Sequence, residues 1–193
     1  YSDCEVIDAE GNKIHDSIIR YTNKRPFSGK CFKELFLGIF IPVQGVMVKK
    51  KVFDKIGFFN ENLVGTEDYE MWLRISYYYP IAYLNKSLAK WREHPTSLSN
   101  NQFQMDESFV NCLEFILNQF SDCNDLVGKE NVKKRMYALS TDAAFQYLQK
   151  GDWSAARKWL KKTWHFGRKP KSLIHILMTY CTPIAQRHWL KGK

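Results

Sequence analysis

Two adjacent acids, Glu67 and Asp68, head the stretch Thr66-Glu-Asp-Tyr-Glu-Met-Trp-Leu-Arg. A Gly65-Thr66 turn precedes them. Behind them, Met71, Trp72, Ile75 and Tyr78 or Tyr79 recur at three-to-four spacing, which predicts an amphipathic helix over 66–79 that ends before Pro80. Both carboxylates then fall in the first turn. A carboxylate held there, on the lip of a cleft, is placed to take a proton from a substrate hydroxyl. The helix dipole also favours acids at that end, and Thr66 is suited to accept from the first-turn N–H groups, so position alone fits a structural role equally well. Met71 and Trp72 serve as an apolar face or as substrate contacts. Arg74 follows Glu70 by four residues, acid first, the favoured order for a surface pair worth about 0.3 kcal/mol.

The elements that must position this helix alternate in type. Residues 1–8 read as a strand, and Ala9-Glu-Gly-Asn as a turn. Ile14 to Tyr21 reads as extended, and Cys31 to Phe40 as a short aromatic helix closed by Pro42. Val43 to Lys49 reads as a buried strand interrupted by Gly45, where the backbone needs a close approach. Lys50 to Ile56 is a short helix capped by Gly57. Ile81 to Leu84 and Leu88 to Trp91 are two short strands, and Tyr77 to Tyr79 are expected to pack beneath the sheet. Alternating strands and helices through residue 92 define an α/β layer over residues 1–99.

After the polar stretch Ser97–Gln102 the pattern turns helical. Phe109, Leu113, Ile116, Leu117 and Phe120 mark one helix; Asp122-Cys-Asn-Asp is a break, and a second helix runs over about 130–150. Gly151-Asp152 combines a left-handed cap with the next N-cap. Helices follow over 153–166 and from Pro170 to about Trp189, the last kinked near Pro183. Residues 100–193 are thus an α-helical region. The hairpin around Gly151, with Ala143, Tyr147, Ala155 and Ala156, resembles half of a tetratricopeptide-type pair.

The 193 residues carry a formal net charge of +9, divided unevenly: 14 Lys+Arg against 12 Asp+Glu before residue 101, and 15 against 8 after it. A basic excess of this kind suits phosphates, anionic headgroups or a solvated face. Nucleic-acid binding lacks any motif beyond charge, and is not expected. Lys49, Lys50 and Lys51 are expected to be solvated. Arg157, Lys158, Lys161 and Lys162, opposite Trp153, Trp159, Leu160 and Trp164, suit either a bundle helix or a peripheral membrane surface. The five cysteines lack metal-ligand spacing, which points to reduced thiols and a cytoplasmic setting. The longest apolar segment, Leu173 to Cys181, is too short to span a bilayer, and no secretory leader is visible.

The first half resembles the carboxyl-terminal part of a family 2 inverting glycosyltransferase with the GT-A fold. The resemblance rests on Tyr1-Ser-Asp-x-x-x-Ile-Asp-x-x-Gly11, Gly45-Val-Met-Val-Lys-Lys, Val52-Phe-Asp-Lys-Ile-Gly-x-Phe and Glu61. It continues through Gly65-Thr-Glu-Asp-Tyr-Glu-Met-Trp-Leu-Arg and Trp91-Arg-x-His-x-x-Ser-x-Ser. It implies a partial GT-A-like mixed sheet with helices, followed by the helical region. It assigns the catalytic base to Asp68 with Glu67 beside it, and places Gly45, Trp72, Arg74, Arg92 and His94 on the substrate side. His94 equally suits a structural place in its Pro-containing loop. The resemblance further implies a nucleotide-sugar donor, a glycan or lipid-linked acceptor, and a divalent cation, Mg²⁺ or Mn²⁺, on the departing diphosphate. The family's Asp-x-Asp metal motif does not occur in the sequence; Asp3-Cys4-Glu5 is the nearest substitute, and short acidic pairs at strand ends are frequent. The chain opens on Tyr1, directly in a strand, and is read as lacking a preceding nucleotide-binding half. Asn60 stands where the family often has Asp. The reading of a different class is a non-catalytic helical interaction or membrane-docking module on a transferase remnant.

Overall fold

The computed structural model describes residues 1–97 and 102–180. Strand β1 (Ser2–Ile7) is central in a three-stranded mixed sheet of order β2-β1-β3, with β2 (Lys13–His15) antiparallel and β3 (Leu84–Arg92) parallel to it. Being central, β1 is buried over most of its length. Helix α1 (Ile18–Tyr21) follows β2, so the predicted extended segment Ile14–Tyr21 is half strand and half helical turn. The reason is Asp3. Its buried carboxylate accepts from Ser17 Oγ at 2.5 Å, the Ile19 N–H at 3.3 Å and the Cys4 N–H at 2.8 Å, while Ser17 Oγ accepts from the Arg20 N–H. An acid and a cap at one helix start nucleate a turn that strand periodicity would not forecast. Asp3 thus ties the central strand to the start of α1.

Helices α2 (Phe32–Leu37), α3 (Lys50–Ile56) and α4 (Glu67–Tyr78) arise where expected, with Gly57 capping α3 at φ 82°. Val43–Lys49 is not a strand. Val43–Gly45 is a 3₁₀ turn and Met47 stands in solvent. The close approach expected at Gly45 is present: a Cβ there would lie 2.6 Å from the Ser2 carbonyl oxygen. Of the two strands predicted over 81–91, Leu88–Trp91 lies within β3, which begins at Leu84, whereas Ile81 makes only an isolated antiparallel bridge with Gly29. The register of β3 against β1 jumps from Ser2–Leu84 to Asp3–Ser87 and then to Cys4–Ala89, so the polar residues between 84 and 89 are absorbed as bulges on an edge strand.

The helical region comprises α5 (Gln102–Gln119), α6 (Cys123–Val127), α7 (Lys129–Lys150), α8 (Trp153–Phe166) and α9 (Pro170–Met178). The break at Asp122 holds the short α6. Between α7 and α8, Gly151 is left-handed at φ 76°, and Asp152 accepts from the Ala155 N–H at 2.9 Å, as the Gly-Asp pair predicts. The expected continuation of the last helix to Trp189, the kink at Pro183 and Cys181 lie outside the described residues. The four described cysteines, Cys4, Cys31, Cys112 and Cys123, are buried free thiols.

The main core is helical and continuous, running from Phe32, Leu35 and Phe36 through Tyr69, Met71 and Leu73 to Val110, Leu113, Met136 and Leu160. A smaller cluster of Cys4, Val6, Ile18 and Ile19 covers the sheet. Tyr77 joins the helical core, stacking on Phe120 at 3.9 Å and meeting Phe32 edge-on, instead of packing beneath the sheet. Helix α4 is buried from Tyr69 to Ser76, polar residues included. Glu70 and Arg74 are accordingly no surface pair: Arg74 Nε and one terminal nitrogen reach the two Glu70 oxygens at 2.5 and 2.8 Å. The guanidinium also donates to the carbonyls of Ile56 at 2.5 Å and Phe58 at 2.7 Å.

Removing one partner of such a pair leaves a charge buried without compensation. Arg74→Ala is expected to destabilise the fold by about 3–5 kcal/mol. Lys13→Ala, which breaks the exposed Lys13–Asp16 pair, is expected to leave stability nearly unchanged. Urea denaturation midpoints of the two variants compare the effects directly, and equal small shifts would refute the clamp.

Candidate functional site

A cleft of about 470 Å³ opens where the small sheet cluster meets the helical core. One wall is α1 with Tyr21, Thr22 and Lys24. Another is the segment from Ile39 to Gln44, and the helical side contributes Met105 and Phe109 from α5. Asp68 and Gly65 enter from the start of α4, and Trp91 and Glu93 from the end of β3. The walls are largely apolar, with two carboxylates and one ammonium group set among them.

Asp68 is partly buried. Burial raises its pKa above the ordinary carboxylate value, and the neighbouring Glu67 pushes the same way. Its own Tyr69 N–H, donating to Oδ1 at 2.6 Å, and the Lys24 charge oppose the shift without cancelling it. Lys24 shows the reverse: the surrounding protein lowers its pKa and Asp68 draws it back up. The two groups therefore sense each other across the cleft. The expected cap is absent, because Thr66 is buried and its hydroxyl points to the Ser108 carbonyl, at 3.4 Å, instead of to the first-turn N–H groups. Tyr69 holds the helix from the other side, its hydroxyl donating to the Leu35 carbonyl at 2.6 Å.

Of the seven residues singled out by sequence, the cleft takes one, Asp68. Glu67 sits beside it in the first turn but does not line the cavity. Gly45 lies behind the wall, against Ser2. Trp72 is core, edge-on to Phe59, with its indole N–H buried and unpartnered. Arg74 is the clamp described above. Arg92 donates to the carbonyls of Asp8 and Ala9 at 2.9 and 2.7 Å, bracing the β1–β2 turn. His94 Nδ1 pairs with the Thr96 hydroxyl at 3.0 Å, away from the cleft lining.

Strand alternation explains the last two. Along β3 and its exit, Trp91 and Glu93 share the face toward the cleft, so Arg92 belongs to the other face. Reading the parity of Ala89 and Trp91 as inward would have selected Glu93 from sequence. Glu93 accepts from the Tyr21 hydroxyl at 2.9 Å, which raises the Tyr21 pKa. Lys24 and Gln44 carry no comparable local signal.

No three His, Cys, Asp or Glu side chains converge to hold a metal ion among the described residues. The membrane-surface expectation for α8 changes. Trp159 and Leu160 are buried, Lys162 pairs with Glu114 at 2.7 Å, and Arg157 turns to Thr179, so only part of the basic face meets solvent. Among the described residues no helix is long and apolar enough to cross a membrane. The chain matches no protein-family model, no curated protein and no solved structure.

The Asp68 environment has a thermodynamic signature. A raised folded-state pKa means that the native protein binds this proton more tightly than the unfolded chain does, so stability falls as pH rises from about 3.8 through the folded value. Asp68→Asn keeps an acceptor for the Tyr69 N–H and removes the charge. It is expected to raise the melting temperature at pH 7, with the gain vanishing below the ordinary carboxylate pKa. A lower melting temperature for the variant at pH 7 would contradict the desolvated site.

Proposed function

We propose that this chain is the acceptor-side part of a family 2-like inverting glycosyltransferase with a GT-A-like fold, in which Asp68 is the general base. The observation that carries the reading is the position of Asp68: a partly desolvated carboxylate at a helix start, facing a cleft, with its pKa moved upward toward the working range of a base. In the reaction, the acceptor oxygen bonds to the anomeric carbon of a nucleotide sugar and the bond to the diphosphate breaks on the opposite face. The hydroxyl proton passes to Asp68, and one displacement inverts the centre. Glu93 and Gln44 supply polar anchors for further acceptor hydroxyls, and Trp91 an aromatic surface. The largely apolar walls suit an acceptor whose hydroxyl belongs to a lipid-linked or otherwise amphipathic molecule better than a bare polyol.

On this reading the cleft serves the acceptor, and the nucleotide-sugar donor and its divalent cation are held elsewhere in the protein. One observation favours the non-catalytic alternative: Trp72, Arg74, Arg92 and His94 all face away from the cleft.

Asp68→Asn in the full-length protein decides between them. Transfer to acceptor is expected to fall by about 10²–10⁴-fold, the usual contribution of a positioned base, while nucleotide-sugar affinity stays close to wild type. Near-normal turnover in that variant would end the assignment. Glu67→Gln, altering a residue outside the cleft lining, is expected to have a much smaller effect. By calorimetry, the 193-residue chain alone is expected to bind a nucleotide sugar no tighter than millimolar; micromolar affinity would place the donor site within it.

A further inference from the structure

Surface helices of globular proteins turn their apolar side inward. Helix α9 packs Ile176 against the main core and turns much of its remaining apolar surface outward. Ser172, His175 and Thr179 are buried, while Leu173, Ile174 and Leu177, with Tyr180 just beyond the helix, are exposed, by 43 to 59%. Specific contacts fix this orientation. The Ser172 and Tyr137 hydroxyls hydrogen-bond at 2.9 Å, and the His175 ring meets Phe145 edge-on at 5.1 Å. Arg157 donates to Thr179 Oγ1 at 3.0 Å and to its carbonyl at 2.6 Å. Rotating the helix to bury its leucine and isoleucine side chains would strip these polar groups of partners inside the protein, so the outward apolar face is built in.

The charge around that face identifies its partner. From Trp153 to Lys193 the sequence has 10 Lys+Arg and no Asp or Glu. Arg168 and Lys169 are exposed immediately before α9, and Lys169 leans over the Tyr137 ring at 4.3 Å. At the other end, the Arg157 guanidinium lies 3.7 Å from the Tyr180 ring centroid. Lys161, exposed, is one turn along α8 on the side of Arg157. Two copies of this chain meeting through such a face would bring like charges together, whereas an anionic surface is complementary. A nine-residue helix is roughly 13 Å long, too short to span a bilayer and suited to lie in its surface.

We propose that α9 docks in the plane of an anionic lipid surface, with Leu173, Ile174, Leu177 and Tyr180 at the boundary between headgroups and acyl chains. Arg168, Lys169 and Lys161 face the headgroup phosphates. This inference is independent of the chemistry assigned to the cleft, and it moves the contact from the basic face of α8 to α9.

Co-sedimentation of the full chain with vesicles tests it. Binding to phosphatidylcholine vesicles containing phosphatidylglycerol is expected to exceed binding to pure phosphatidylcholine by at least about tenfold, and to weaken as salt is added. Leu173→Ser with Ile174→Ser is expected to lower the partition coefficient about tenfold without lowering the melting temperature, since both side chains are exposed. Arg168→Glu with Lys169→Glu is expected to reduce binding to the anionic vesicles alone. Equal binding to both vesicle types, or undiminished binding of the serine variant, overturns the proposal. So does a concentration-dependent dimer in sedimentation velocity that the serine variant abolishes, which would give the face to a second copy.

Discussion

Helix α4 is surrounded by protein from Tyr69 to Ser76, and a helix enclosed in this way must satisfy its polar side chains from within the fold. The Glu70–Arg74 pair is the solution. Its Coulombic attraction offsets two desolvation costs only because the geometry is bidentate and because the remaining guanidinium protons find the carbonyls of Ile56 and Phe58. Those carbonyls lie at the end of α3 and just beyond it, so the same cation that keeps Glu70 buried also holds the chain exit from α3. The Phe53–Phe58 stack closes that turn. With the Tyr69 hydroxyl fixed to α2, the rotation of α4 about its axis is set from two sides. Asp68, the residue next to this enclosed stretch, is the acid of the first turn that reaches the cleft.

A second buried acid organises the opposite wall. Asp3, on the central strand, gathers Ser17, Ile19 and Cys4 as donors and thereby fixes α1 over the sheet. Ile18, Ile19 and Tyr21 then line the cleft. The cleft exists because two cores, one sheet-based and one helical, meet without merging, and Tyr1 packs against both.

Local chemistry was readable wherever short-range rules decide the outcome. The start of α4, the Gly57 cap and the Gly151-Asp152 junction follow from residue types within a few positions, and the structure has each in place. The errors share a cause in tertiary context. Arg74 and Glu70 have the spacing of a surface pair, and nothing nearby in sequence signals that the fold buries both. Val43–Lys49 has strand composition, yet it begins as a 3₁₀ turn with Gly45 pressed against Ser2. Asn85 to Ser87 looks like a gap between strands, since a bulge on an edge strand tolerates polar residues that a regular ladder would exclude. Helix α9 has an apolar periodicity that predicts its existence but not the exposure of Leu173, Ile174 and Leu177.

The acids of the chain differ most in how much accepting capacity the fold has already used. Asp3 is enclosed and receives three donors spread over both oxygens. Glu70 is buried and takes one guanidinium donor on each oxygen. Asp68 receives one backbone N–H, on one oxygen, and faces a cavity. A carboxylate in that condition is destabilised as an anion by burial yet retains an open oxygen, the combination that makes a group a proton acceptor and not a cap. Asp3, on β1 beside the start of α1, and Asp68, in the first turn of α4, thus meet helix starts in space and differ in chemistry. The difference lies in the donors that distant residues do or do not bring to them.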